Sequence, residues 1–190
     1  MNGKLNKAVM VIAKIAEVFM WIGAAFSIVI TALVATGNQG LMWLFTDAAE
    51  QSVLSTGGFT IVTAGLESGQ LVAAYIVFFV TFLITCVLTA MVFRNINLVF
   101  KTAAGETKFS VGVTPFQPEI VRMIREIGIF CIAIPIVELV MSIIGTAVIG
   151  PDVFEGSVGL FGIFVGLVVL CLSQFFTYGA ELQSETDGLV

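Results

Sequence analysis

The chain has 190 residues, of which 58% are hydrophobic and 11% charged, with a mean hydropathy of +1.09, so it lacks the polar surface of a soluble domain. Eight basic residues against thirteen acidic ones give a net charge of -5 and argue against a general nucleic-acid-binding face; the absence of His removes the commonest metal ligand and general base. An integral membrane protein remains, and the length between charges becomes the quantity to read, because an apolar helix needs about 20 residues to cross the hydrocarbon.

Four apolar runs meet that length and predict spans near 15–37, 71–93, 127–149 and 157–179. Before the first, Lys4, Lys7 and Lys14 form a basic lead, and Lys14 with Glu17, three residues on, can pair along one helix face. A cleaved signal peptide fits this start poorly: the apolar run is too long and is interrupted by charge at its beginning.

Residues 38–70 carry Asp47, Glu50 and Glu67 but no Lys or Arg. Residues 52–56 and 59–63 are β-favouring runs joined by Gly57 and Gly58, which suits a tight hairpin, although the composition also suits an irregular loop. Ahead of them, residues 41–45 form an apolar patch suited to the outer interface, with Trp43 and Tyr75 as outer-boundary aromatics and Tyr178 as an inner one. On the second span, Thr81, Thr85 and Thr89 form a stripe expected to bond back to its own helix carbonyls.

Residues 94–126 hold Arg94, Lys101, Lys108, Arg122 and Arg125. Their first part is polar and loop-like; after Pro118 the spacing of Ile120, Met123, Ile124 and Ile127 predicts an amphipathic lead-in to the third span, lying at the membrane surface. All eight basic residues then fall on one side, while 38–70 and 150–156 carry only acids. Retention of Lys and Arg in the cytoplasm predicts a plasma-membrane protein of one domain, with 1–14, 94–126 and 180–190 cytoplasmic, 38–70 and 150–156 external, and both termini inside.

Glu138 sits about eleven residues into the third span, roughly 17 Å along it and near the membrane midplane. A central acid costs about 3 kcal/mol on insertion scales, so it should face the protein interior and be protonated or hydrogen-bonded. Pro135, three residues earlier, frees a backbone carbonyl. A contact to a proton, ion or small ligand is one expectation for this pair; the favoured one is a neutral carboxyl satisfying freed backbone groups. On the fourth span, Gly156, Gly159, Gly162 and Gly166 recur at three, three and four residues and predict a helix-packing face. Cys86, Cys131 and Cys171 lie in apolar runs and read as packing residues.

Residues 113–128, in which Thr114, Pro115, Phe116, Gln117 and Pro118 lead into Arg122, Arg125 and Glu126, resemble the approach to the third helix in an uncharacterised family of bacterial four-span membrane proteins. The ending 178–190, from Tyr178 and Gly179 to Leu189 and Val190, resembles that family's C-terminus, with Gly188 as a departure. The family is often encoded beside a small helix-turn-helix regulator, which implies a regulatory association with such a cytoplasmic protein by analogy. The expected fold is an all-α membrane protein, a bundle of four transmembrane helices with a small external β-hairpin between the first two. The expected function is non-enzymatic and regulatory, docking a cytoplasmic partner through Arg94, Arg122, Arg125, Glu126, Glu181, Glu185 and Asp187. A small transporter or channel subunit using Glu138, with four helices per chain requiring homo-oligomerisation to enclose a pathway, is the alternative. Membrane lipids are expected neighbours, and no cofactor, metal or direct nucleic-acid contact is expected.

Overall fold

Long apolar sequence gives long helices, one of which runs on through Pro135. The computed structural model describes residues 3–36, 53–110, 114–156 and 159–187. They form α1 (Gly3–Ala35), β1 (Val53–Ser55), β2 (Phe59–Val62), α2 (Ser68–Ala103), α3 (Pro118–Ile149), β3 (Phe154–Gly156) and α4 (Leu160–Asp187). All four helices are long and apolar enough to cross a membrane. Their exposed residues include Ile12, Phe19, Ile22 and Phe26 on α1, and Phe161, Phe164, Leu167 and Phe175 on α4. Such faces are stable against hydrocarbon and costly against water, so this is a multi-pass membrane protein with four spans.

Each helix overruns its expected span. α2 continues through Arg94, Asn95, Asn97 and Lys101, because charge ends an apolar run without ending a helix. It stops at Gly105 (φ +79°), where Gly105 N–H donates to Thr102 O at 3.1 Å and Glu106 N–H to Lys101 O at 2.9 Å, the paired bonds of a left-handed helix cap. Residues 118–126 are the continuous start of the 32-residue α3, where a surface-lying lead-in was expected; Ile120, Val121 and Met123 are buried in the protein. α4 likewise takes in Glu181 and Glu185, so most of the tail is helical.

The chain divides into two compact units. The first comprises 1–20, 88–133 and 161–190. Here Asn97 Nδ2 donates to Met10 O at 3.4 Å and joins α2 to α1, while Asn95 Nδ2 donates to Glu126 Oε2 at 2.9 Å and joins α2 to α3. Gly128 and Gly166 let α3 and α4 approach closely: a Cβ on Gly166 would lie 2.8 Å from Gly128 O and 2.5 Å from Ile132 Cγ1.

The second unit comprises 21–87 and 134–160 and contains the sheet. β1 and β2 form the expected hairpin, closed by Thr56 N–H to Phe59 O at 2.9 Å around Gly57 and Gly58. It is one part of a larger element. Residues 150–156, expected as a short link, supply β3, which pairs antiparallel with β2 in the order β1-β2-β3, with Phe59 opposite Gly156 and Ile61 opposite Phe154. The strand alternation turns Phe59 and Ile61 inward, where they pack with Ala74, Val77, Ile149 and Phe154. Ser27 Oγ donates to Phe79 O at 2.5 Å between α1 and α2. Tyr75 is buried with Val34 and Leu71 and stacked near Phe79, and Tyr178 is exposed. The patch 41–45, Trp43 included, lies outside the described residues.

The glycine series is corrected by this arrangement. Gly156 is a strand residue beside Ser142, and Gly159 precedes α4, so only Gly162 and Gly166 lie on the helix. The pattern ran across a strand and a connection because spacing alone does not mark where a helix begins. As expected, Thr81 Oγ1 donates to Val77 O at 2.7 Å and Thr85 Oγ1 to Thr81 O at 3.1 Å.

Candidate functional site

Two places hold the candidate residues, one in each unit. In the second unit, α3 buries Glu138 at 7% exposure, with Pro135 buried one turn earlier in an unbroken helix. Glu138 lies eleven residues before the end of α3, roughly 17 Å along the axis, and so well inside an apolar span. The hairpin turn reaches it there. A Cβ on Gly57 would lie 3.2 Å from Glu138 Oε1; one on Gly58 would lie 2.5 Å from both Cβ and Oε2 of Glu138. Gly159 closes the remaining side, its Cβ position 3.7 Å from Pro135 Cβ and 3.9 Å from Glu138 Oε2. Gly57 and Gly58 therefore bring backbone to the carboxyl where a side chain would crowd it, while Gly159 leaves room for a Cβ in ordinary contact. Non-helical backbone at membrane depth persists only where protein covers it, and the Glu138 side chain is part of that cover for the turn.

In the first unit the candidate docking residues divide between two grooves. One, of about 370 Å³, is lined by Val121, Arg125, Thr177, Ala180, Glu181 and Ser184, with Pro118 at its edge. It lies between the first turns of α3 and the last turns of α4, which Thr114 Oγ1 ties together by donating to Gln183 Oε1 at 2.9 Å. Phe116 supports the same junction, packed on Gly179 and 5.8 Å from the Phe176 ring. Arg94, Arg122 and Glu126 line a second groove of about 220 Å³. Arg122 is engaged within its own helix, with Glu119 at 3.0 Å and Glu126 at 3.6 Å. Among the described residues, Glu181 and Glu185 form no ion pair with the basic segment. Glu185 is exposed and lines neither groove; Asp187 ends α4 and its side chain lies outside the described residues. Lys14 and Glu17 pair as expected, at 3.0 Å.

Sequence reasoning missed Asn95, Asn97 and Gln117, each buried. Gln117 Nε2 donates to Thr114 O at 2.7 Å and to Thr102 O at 3.3 Å, which fixes the connection between α2 and α3. Their signal was available: uncharged amides directly beside Arg94 and Pro118, at the ends of apolar runs, are where interhelical bonds are worth forming. Gly128 was missed as the partner of Gly166, since one glycine without a repeat carries no pattern.

No family model matches the chain, no curated protein matches its sequence, and no solved structure matches its fold. The four-span architecture stands on the helices themselves; the family resemblance rests on its two sequence stretches alone.

Proposed function

We propose that this four-span protein is non-enzymatic and regulatory, holding a cytoplasmic protein on the groove between the start of α3 and the end of α4. The observation that carries this is the groove itself: an apolar floor of Val121 and Ala180 with Arg125, Glu181 and Ser184 around it. An apolar centre within a polar rim is the composition of a protein interface, and unpaired rim charges speed and orient docking. Support for a helix-turn-helix regulator as the partner comes from the sequence resemblance, and support for the cytoplasmic placement from the one-sided distribution of the basic residues.

The test is site-directed photocrosslinking in native membranes, with the crosslinker at Arg125 or Ser184 and, for comparison, at Ile22 on the exposed apolar face of α1. A cytoplasmic DNA-binding protein captured from the groove positions alone is the expected result. Capture of nothing, or equal capture from all three positions, refutes it. Orientation is checked separately: single cysteines at Glu50 and Asp152, in a background lacking the native three, should react with an impermeant thiol reagent on intact cells. Those at Lys101 and Ser184 should react only after permeabilisation. Labelling of Lys101 from outside would reverse the assignment.

A small transporter or channel subunit is the second reading, favoured by one observation, the buried Glu138 within an apolar span. The close fit of Gly57 and Gly58 against its carboxyl favours a structural role instead.

A further inference from the structure

Arg94, Asn97, Leu98 and Lys101 follow one another on α2 at i, i+3, i+4 and i+7 and so share one stripe of the helix. The stripe begins where the apolar run ends. No charge lies between residues 68 and 93, which places Arg94 where hydrocarbon gives way to headgroups.

Two adjoining grooves meet on this stripe. One of about 140 Å³ is lined by Lys14, Glu17, Arg94, Asn97, Leu98 and Lys101. The other, of about 220 Å³, shares Arg94 and Leu98 and adds an apolar wall of Met91, Phe109 and Phe130. The cations in them are not equally engaged. Lys14 is held by Glu17 at 3.0 Å, and Arg122 by Glu119 and Glu126 at 3.0 and 3.6 Å. Glu126 also accepts from Asn95, which takes up the remaining acid. Among the described residues, Arg94 and Lys101 have no acidic partner; the Arg94 guanidinium reaches only Met91 Sδ, at 4.0 Å. Lys108 stands 5.2 Å from the centre of the Phe109 ring and lines neither groove.

Arg94 and Lys101 stand two turns apart, roughly 10 Å of axis, and line one groove, so their long side chains can close on one anion between them. Arg presents a planar fork that matches two oxygens of a phosphate, and Lys a compact second charge. The apolar wall beside them suits a hydrocarbon chain, which free phosphate lacks. We propose that these joined grooves bind the phosphodiester headgroup of one anionic phospholipid, with Arg94 and Lys101 on the phosphate and an acyl chain along Met91 and Phe130. Basic pockets at the ends of spans are a recurring setting for such lipids.

The experiment reconstitutes the full-length protein into vesicles of phosphatidylcholine with increasing phosphatidylglycerol. Binding is read from the rise in melting temperature and from crosslinking to a photoactivatable phosphatidylglycerol. The parent should show a saturable rise, with crosslinks confined to the α2 stripe and the Phe109 and Phe130 wall. Arg94→Gln and Lys101→Gln should each weaken the apparent affinity about fivefold, the usual effect of one cation near an anionic surface, and the double variant by roughly the product. Arg94→Lys should retain part of the response, and Lys7→Gln, outside both grooves, all of it. An identical response in the double variant overturns the site. If that variant does not fold, crosslinks spread evenly around the parent's helices overturn it equally. Inorganic phosphate added to protein in phosphatidylcholine alone tests the other source: a full melting shift from phosphate would overturn the lipid assignment in favour of a free anion.

Discussion

Around Glu138 an ionisable group is covered by a strand turn, with Gly57 and Gly58 packed too closely to carry side chains; around Arg94 and Arg122 charge stands in open grooves. The first arrangement packs a strand turn directly against a carboxyl among apolar residues. The second keeps cations accessible and spends its buried amides, Asn95 and Asn97, on joining helices. The contrast teaches that charge within an apolar sequence is not one signal. Its meaning depends on whether backbone or open space is brought to it.

The comparison breaks most severely at Gly58. Gly58→Val would place its branched side chain against Glu138 Cβ and Oε2, already 2.5 Å from the unbranched Cβ position. Overpacking of this kind costs about 3 kcal/mol where backbone has to move, and the turn is held by both neighbouring strands. A large fall in melting temperature of the purified protein in detergent is expected. Melting equal to the parent would show that the turn does not seat on Glu138.

A smaller loss is expected at the helix crossing of the first unit. Gly166→Ala would set a Cβ 2.8 Å from Gly128 O and 2.5 Å from Ile132 Cγ1, so α3 and α4 must move apart at this crossing, a cost of about 2 kcal/mol. Gly162→Ala, at the other glycine of the expected packing face, gives the comparison. Equal melting of the two variants would reject Gly166 as the site of closest approach.

Asn95→Ala should cost about 1 kcal/mol, since Glu126 loses the amide at 2.9 Å but keeps Arg122 at 3.6 Å. Asn97→Ala breaks the longer 3.4 Å bond to Met10 O and should cost less. Thermal melts of both, with the Asn95→Ala, Glu126→Ala double variant closing the cycle, read the coupling directly. Additive single effects would mean that the pair does not interact.

The spans were legible because run length against membrane thickness leaves few alternatives, and the hairpin because Gly57 and Gly58 separate two β-favouring runs. Helix ends were less so: Arg94 and Glu119 stop an apolar run while the backbone continues in register beyond them. β3 was hidden because Val153 and Phe154 are too short a run to read as a strand until β2 lies beside them. At the candidate site the burial of Glu138 followed from its cost in hydrocarbon, whereas the glycine turn that covers it is more than seventy residues away in sequence and nothing local ties the two together. The grooves were the least legible part. Which cations are engaged is decided by contacts such as Asn95 with Glu126, thirty-one residues apart.

The smallest effect is expected from the substitution that separates the two readings of function. Glu138→Gln keeps the side chain's length and shape, and its amide can both donate and accept beside the turn. If the carboxyl is a structural group, stability should stay within about 0.5 kcal/mol of the parent, because the same neighbours remain satisfied. Glu138→Leu has similar bulk but offers the turn no polar group, so it should lose about 1–3 kcal/mol, and the difference between the two variants isolates polarity from packing. Melting in detergent reads both. The cellular phenotype of a deletion strain, complemented with each variant, supplies the second axis. Complementation by Glu138→Gln is expected if the protein acts by holding a partner at the groove between α3 and α4. A Glu138→Gln variant as stable as the parent but unable to complement would require a carboxyl that exchanges a proton or ion. That outcome would move the functional site from the grooves to the acid beneath the hairpin.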